Sequence, residues 1–146
     1  MRKKILAATL LITVASGVKA QNIVTKAIEK VSDGIASFYN NKFVGRKTAT
    51  GEVFDQNKYT AASNTHQLGS YVKVTNAKNG EVVYVKINDR MAPSNKRLLD
   101  LTSKAAGDLR FRNSGTTKVQ VEAVSESEGR RAIADQLDTR TSSNQL

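Results

Sequence analysis

Lys78-Asn79-Gly80 separates two stretches that read as strands, Tyr71-Val72-Lys73-Val74-Thr75 and Glu81 to Ile87. The first alternates apolar and polar residues, as a strand with one buried face does. The second is nearly all apolar or β-branched. Asn-Gly tolerates positive φ at both positions, so it joins the two as a tight hairpin. Other segments supply partners. Lys118 to Val124 places Val119, Val121 and Ala123 on one face and Lys118, Gln120 and Glu122 on the other. Ile35 to Tyr39 is a further strand, and Leu98-Leu99-Asp100-Leu101 a short buried one. Thr102 then N-caps a helix that runs to about Leu109. These signals predict a small, mainly β domain over residues 34–124 with one or two short helices. Closure into a barrel suits strands at this spacing and removes edges that could aggregate.

The ends read differently. Met1-Arg2-Lys3-Lys4 is a basic start, Ile5 to Gly17 is apolar, and Val18-Lys19-Ala20 is a small-x-small cleavage site. Residues 1–20 therefore read as a secretory signal, with the mature chain beginning at Gln21. The apolar stretch is short for a spanning helix, which needs about 20 residues. Ile23, Val24, Ala27, Ile28 and Val31 have helical spacing, which predicts a lead-in helix over Gln21 to Ser32. Residues 125–146 are polar and lack aromatics, so a flexible tail is expected, transiently helical around Arg130 to Leu137. The chain has no cysteine, which excludes disulfides, thiolate metal sites and a cysteine nucleophile. Export without disulfides fits a bacterial envelope protein, periplasmic or secreted. The full chain has 23 basic and 13 acidic residues, a net of +10. Without Arg2, Lys3, Lys4 and Lys19 the net is +6, which suits an anionic partner such as a cell-wall polymer or lipid headgroups better than nucleic acid outside the cytoplasm, and charge alone does not choose between them.

Little here supports a metal or a cofactor. His66 is the single histidine, and there is no Asp-rich loop, glycine-rich phosphate loop or nucleophile elbow. The carboxylates Glu52, Asp55, Asp89 and Asp100 all fall at strand ends or in tight polar loops. Asp55 reads as a turn closer, and Asp100 as a backbone-bonding residue near the helix start. Asp89 stands where the strand ending Val85-Lys86-Ile87 runs out, flanked by Asn88 and Arg90, which can orient it. Glu52 lies in the polar turn Thr48-Ala49-Thr50-Gly51-Glu52. Two such acids brought together by folding are what glycoside cleavage requires.

A series of ordered motifs extends this picture. It begins with Gly34-Ile35-Ala36-Ser37-Phe38-Tyr39 and Phe43-Val44-Gly45-Arg46-Lys47-Thr48-Ala49-Thr50-Gly51-Glu52-Val53-Phe54-Asp55. Tyr59-Thr60-Ala61-Ala62, Leu68-Gly69-Ser70, Val72 to Asn76 with Asn79-Gly80, Asn88-Asp89-Arg90 and Leu99-Asp100-Leu101-Thr102 follow. Together, across residues 34–124, they resemble the rare lipoprotein A-like domain. The resemblance implies a six-stranded double-psi β-barrel, related in fold to expansins and barwin-like proteins. It also implies action on bacterial peptidoglycan as a lytic transglycosylase, cleaving between N-acetylmuramic acid and N-acetylglucosamine and leaving a 1,6-anhydro ring. Active members often act on glycans stripped of peptide. No cofactor or metal is implied. Asp89 and Glu52 match the family's functional acids, with Asp89 as acid/base and Glu52 stabilising charge or orienting the sugar, or the reverse. A general acid working near neutrality needs a raised pKa. Ser63, His66, Tyr39, Thr48, Asn88 and Arg90 are the expected substrate-binding residues around them.

The sequence departs from the family pattern in places. Ser63 stands where the family has histidine after Thr-Ala-Ala, and Gln67 replaces a proline. His66 could swing into the vacated space or sit on the surface. Met91-Ala92-Pro93 replaces Gly-Pro-Phe after Asp-Arg. No lipid-anchoring cysteine or C-terminal wall-binding domain is seen, so a monomer without a stable membrane anchor is expected. The alternative function is a non-catalytic, expansin-like binding module. Its acids would hydrogen-bond sugar hydroxyls, with Tyr39, Phe38 or Tyr59 stacking on sugar faces, although Phe38 reads as core.

Overall fold

The computed structural model describes residues 31–144. The expected signal segment and all but the end of the expected lead-in helix lie outside that range. Its last two residues, Val31 and Ser32, are strand, because they pair with Glu122 and Val121.

The strands are β1 (Val31–Phe38), β2 (Thr60–Ala62), β3 (Tyr71–Asn76), β4 (Val82–Asp89), β5 (Leu99–Leu101) and β6 (Thr117–Val124). They close into a six-stranded barrel in the order β1-β5-β2-β4-β3-β6. The β1–β5 and β2–β4 pairs are parallel and the other four are antiparallel. The hairpin forms where Asn79-Gly80 places it, with Thr75 opposite Val82. Asn76 secures it from within. Its side chain donates to the Leu109 carbonyl at 2.8 Å and accepts from Thr117 Oγ1 at 3.0 Å.

Alternation fills the interior. Val72, Val74, Val83, Val85, Ile87, Leu99, Leu101, Val119 and Val121 are essentially inaccessible. Each such side chain contributes about 1.5–3 kcal/mol by leaving water. Helix α1 (Ser103–Asp108) starts at the N-cap Thr102, as expected, and packs Ala105 and Ala106 on the core.

The segment expected as a flexible tail is instead an ordered helix, α2 (Glu126–Ser143). Ser125 caps it by accepting from Glu128 N at 3.2 Å, and Arg130 pairs with Glu126 one turn away. Few large apolar residues hold α2 to the barrel. Ile133 packs on the core, and Gly129 is buried so closely that a Cβ there would lie 2.3 Å from Tyr71 Cβ. Gln136 clips the exposed edge of β4, accepting from Tyr84 N at 2.6 Å and donating to Tyr84 O at 3.0 Å. Arg140 forms an ion pair with Asp108. Polar composition hid these contacts, because an amide, an ion pair and a glycine make them.

Candidate active site

The site begins with an irregularity in β4. Ala61 pairs with Ile87 but Ala62 pairs with Asp89, so Asn88 is an extra residue, a bulge. A bulge bends its strand and re-aims the side chains beside it. The Asn88 carbonyl is satisfied by the neighbouring turn, accepting from Thr50 N and Thr50 Oγ1, both at 3.2 Å. That turn is tight. Thr48 N donates to Glu52 O at 2.8 Å, and Gly51 sits at φ +85°, where a side chain would be strained.

Asp89 is half-buried at the strand end. Its Oδ2 accepts from the Tyr39 hydroxyl at 2.7 Å. Its Oδ1 accepts from Ala49 N at 3.0 Å and Arg90 N at 2.9 Å. Burial and the neighbouring carboxylate both push the Tyr39 phenol far above its ordinary pKa, so it stays protonated. Tyr39 packs against Phe54 and Phe43, with centroids 4.3 and 5.8 Å away.

Glu52 is held differently. Its carboxylate accepts from Lys86 Nζ at 2.6 Å and Asn88 Nδ2 at 2.7 Å. The Lys86 bond, then the Asn88 bond, lowers its pKa despite some desolvation, so Glu52 is an anion near neutrality. Lys86 and Asn88 alternate with the core residues Val85 and Ile87, so the outer face of β4 grips one acid and its end presents the other.

Asp89 lines a groove of about 490 Å³ with Tyr39, Lys42, Phe43, Met91, Arg97 and Asp100. Asp100 is the carboxylate that sequence reasoning under-read. It bonds not to backbone but to Arg97, at 2.7 and 2.9 Å. Ala62 pairs with Asp89 on one side and Asp100 on the other. The two acids thus stand two strand spacings apart, roughly 10 Å. Glu52 lines a separate cavity beneath α2.

The other expected site residues mostly support the site rather than face it. Thr48 and Asn88 are buried, in the turn and the bulge. Ser63 is fully buried, and its Oγ accepts from Thr65 N at 3.2 Å and His66 N at 3.1 Å. His66 Nδ1 lies 3.2 Å from Ser63 Oγ, and burial lowers its pKa, which favours the neutral ring. His66 does reach the serine, but it does not line the Asp89 groove. Arg90 lines the Asp89 groove, and its guanidinium fastens this loop by donating to Ser63 O, and to His66 O at 2.6 Å. Tyr59 is buried with its hydroxyl on Asp108 at 2.5 Å, so it is no stacking platform. Phe38 packs edge-on to Phe111 but is only half-buried, and it lines the Asp89 groove.

A closed six-stranded barrel with a bulged strand presenting an aspartate, and a fixed glutamate on the adjoining turn, defines a double-psi β-barrel of the carboxylate-bearing kind. Residues 31–121 match the family model described as lytic transglycolase, and the chain belongs to that family, as a rare lipoprotein A-like domain. Among curated relatives, "Endolytic peptidoglycan transglycosylase RlpA" of Pasteurella multocida is 49% identical over 92 residues, 63% of this chain and 31% of that protein. The protein of the same name from Haemophilus influenzae is 42% identical over 111 residues, 73% of this chain and 39% of that one. The chain thus spans about a third of the length of these relatives. Among solved structures, a Streptomyces papain inhibitor superposes with TM-score 0.54 at 20% identity, covering 66% of this chain and 96% of that one. A Clavibacter michiganensis expansin in complex with cellohexaose gives 0.51 at 20% identity, covering 66% and 51%. At such identities these two show a shared fold.

Proposed function

We propose that the chain is an exported lytic transglycosylase that cleaves peptidoglycan glycan strands between N-acetylmuramic acid and N-acetylglucosamine. The observation that carries this is Asp89, half-buried in an open groove with its carboxyl group fixed in place by Tyr39, Ala49 N and Arg90 N. Asp89 gives a proton to the leaving glycosidic oxygen as the bond to C1 of the muramyl residue breaks. The C6 hydroxyl of the same residue then attacks C1, and its proton passes to the Asp89 carboxylate. The product is a 1,6-anhydro ring, and Asp89 ends protonated again. A hydroxyl both donates and accepts, so Tyr39 can hold Asp89 in either state, donating to the carboxylate and accepting from the acid. Glu52, kept anionic by Lys86 and Asn88, lines a separate cavity and bears on the reaction through Asn88 and the turn that holds Asp89. The curated relatives' names support the same reaction.

The protein acts in the periplasm or outside the cell, once residues 1–20 are removed, as a monomer. Among the described residues no helix is long and apolar enough to cross a membrane. One observation favours a binding module instead: Ser63 stands in the histidine position and its hydroxyl is spent on its own loop. The deciding assay incubates the protein with purified, peptide-stripped glycan strands and looks for anhydro ends by mass spectrometry. Anhydro ends from the unaltered chain and none from Asp89→Asn are expected. Strand binding with no anhydro product from either would leave the binding module. Ser63→His should raise turnover if the missing imidazole limits the reaction.

A further inference from the structure

Residues 2–146 hold one sulfur atom, that of Met91, since the chain has no cysteine and its other methionine is Met1. That atom belongs to a half-buried side chain lining the Asp89 groove, two residues beyond the aspartate. The backbone around it is fixed. Met91 N donates to Asn64 Oδ1 at 2.9 Å, and Asn64 Nδ2 donates to Ala92 O at 3.1 Å. Asn95 Nδ2 donates to the sulfur itself, at 3.4 Å. The Asn95 amide is oriented independently of that contact. Its Oδ1 accepts from Arg97 N at 2.9 Å, and Asn95 N donates to Ala92 O at 2.9 Å. A hydrogen-bond donor is therefore held against the thioether in an open groove of about 490 Å³. Met91 also stands where the rare lipoprotein A-like pattern has glycine, so the sulfur and its donor contact are features of this chain.

A thioether that solvent reaches is open to two-electron oxidation. Hydrogen peroxide transfers an oxygen atom to a sulfur lone pair. The S–O bond forms as the O–O bond breaks, the proton on the transferred oxygen passes to the departing hydroxide, and water leaves. Sulfur is oxidised from sulfide to sulfoxide, and the peroxide is reduced. The thioether is a weak acceptor, whereas the new oxygen carries partial negative charge and accepts strongly, with the Asn95 amide already within reach of it. The oxidised side chain is polar, chiral at sulfur and one atom larger. We propose that Met91 is an oxidation switch on the groove: peroxide converts it to a sulfoxide that Asn95 holds, which weakens the seating of a glycan strand, and a methionine sulfoxide reductase returns it to the thioether. In the return step two thiols of the reductant become a disulfide, and the oxygen leaves as water. This rests on the Asp89 groove being where a glycan strand lies.

The test treats the full chain with hydrogen peroxide and follows the added oxygen on Met91 by peptide mapping and mass spectrometry. Strand affinity is measured by calorimetry before and after treatment in the Asp89→Asn background, so the switch is read whether or not the chain releases anhydro ends. Oxidation should weaken binding about fivefold or more, the low end for setting a polar group where an apolar contact was. Met91→Leu has no sulfur, and its affinity, whatever the starting value, should be the same before and after treatment. Asn95 stands on one side of the sulfur, so one of the two epimer-specific reductases should restore binding and the other should not. Unchanged affinity with Met91 fully oxidised would overturn the switch, as would an equal loss in Met91→Leu. Restoration by both reductases alike would remove the role given to Asn95. Strands that fail to bind even before treatment would remove the glycan reading and the switch with it. Binding that responds to peroxide, with no anhydro product from the chain with Asp89 intact, would leave the switch standing and remove the chemistry.

Discussion

Replacing Gly129 by alanine sets two effects of opposite sign against each other. In a helix interior, alanine is favoured over glycine by about 1 kcal/mol. On an open helix face Gly129→Ala would therefore stabilise the protein. Here the new Cβ would lie 2.3 Å from Tyr71 Cβ and 2.4 Å from Cγ, against the roughly 3.5–4.0 Å of ordinary carbon contact. Tyr71 is in β3, so neither atom can swing aside as a flexible chain end would. The helix must lift by more than an ångström. Overpacking of this kind costs about 1–3 kcal/mol. The lift also stretches the two bonds between Gln136 and Tyr84, each worth about 1 kcal/mol. Set against the helical gain, the net is a destabilisation of about 1–3 kcal/mol. That is a fall in Tm of roughly 4–12 °C for a domain of this size. Calorimetry reads the fall, and hydrogen exchange should show α2 amides opening before those of the barrel. A rise in Tm, or unchanged protection in α2, would mean the helix is not seated on Tyr71 and would refute the docking.

Three further outcomes follow from the site. Tyr39→Phe removes the 2.7 Å bond to Asp89, and losing a charge-assisted bond of about 1.5 kcal/mol should lower kcat roughly tenfold with KM little changed; an equal rate would free Tyr39 of any role. Lys86→Met removes the main influence holding the Glu52 pKa down, so the acid limb of the pH–rate profile should move toward neutrality, while Lys86→Arg keeps it in place; superimposable profiles for all three would show that Glu52 ionisation is irrelevant. His66 has a folded pKa below its unfolded value of about 6.5. The unfolded chain thus binds the proton first, and stability present in full above that pH declines as pH falls below it. In His66→Gln that part of the Tm–pH curve should be flat.

The barrel was largely legible because its long strands alternate or run apolar, and because Asn79-Gly80 permits one tight turn. The short strand β2 carried no periodic signal: Thr60, Ala61 and Ala62 are all buried and pair on both sides. Helix α2 has the sequence of a tail because its docking relies on Gly129, Gln136 and Arg140, none of which registers as core in a hydropathy pattern. Asp89 could be picked out at a strand end, but its bond to Tyr39 spans 50 positions and leaves no local trace. The bulge at Asn88 was equally silent, since it exists only in the register against β2. A signal for the grip on Glu52 was present, because Lys86 and Asn88 share the outward face of one strand. The bidentate Arg97–Asp100 contact, three residues apart, was also within reach of sequence.

The strand order has a bearing on how the chain acquires its fold. β1 is hydrogen-bonded only to β5 and β6, and β2 only to β4 and β5. No strand before β3 can pair with its successor in sequence. A nascent chain growing from the N-terminus can make the β3–β4 hairpin early. Its first strand has no partner until residues 99–101 appear, and the ring cannot close until 117–124 are present. Topologies dominated by such distant pairings fold slowly, because loop-closure entropy is spent before contacts form. The polypeptide therefore stays an open chain around one hairpin for most of its synthesis, and its cooperative folding waits on the last strand.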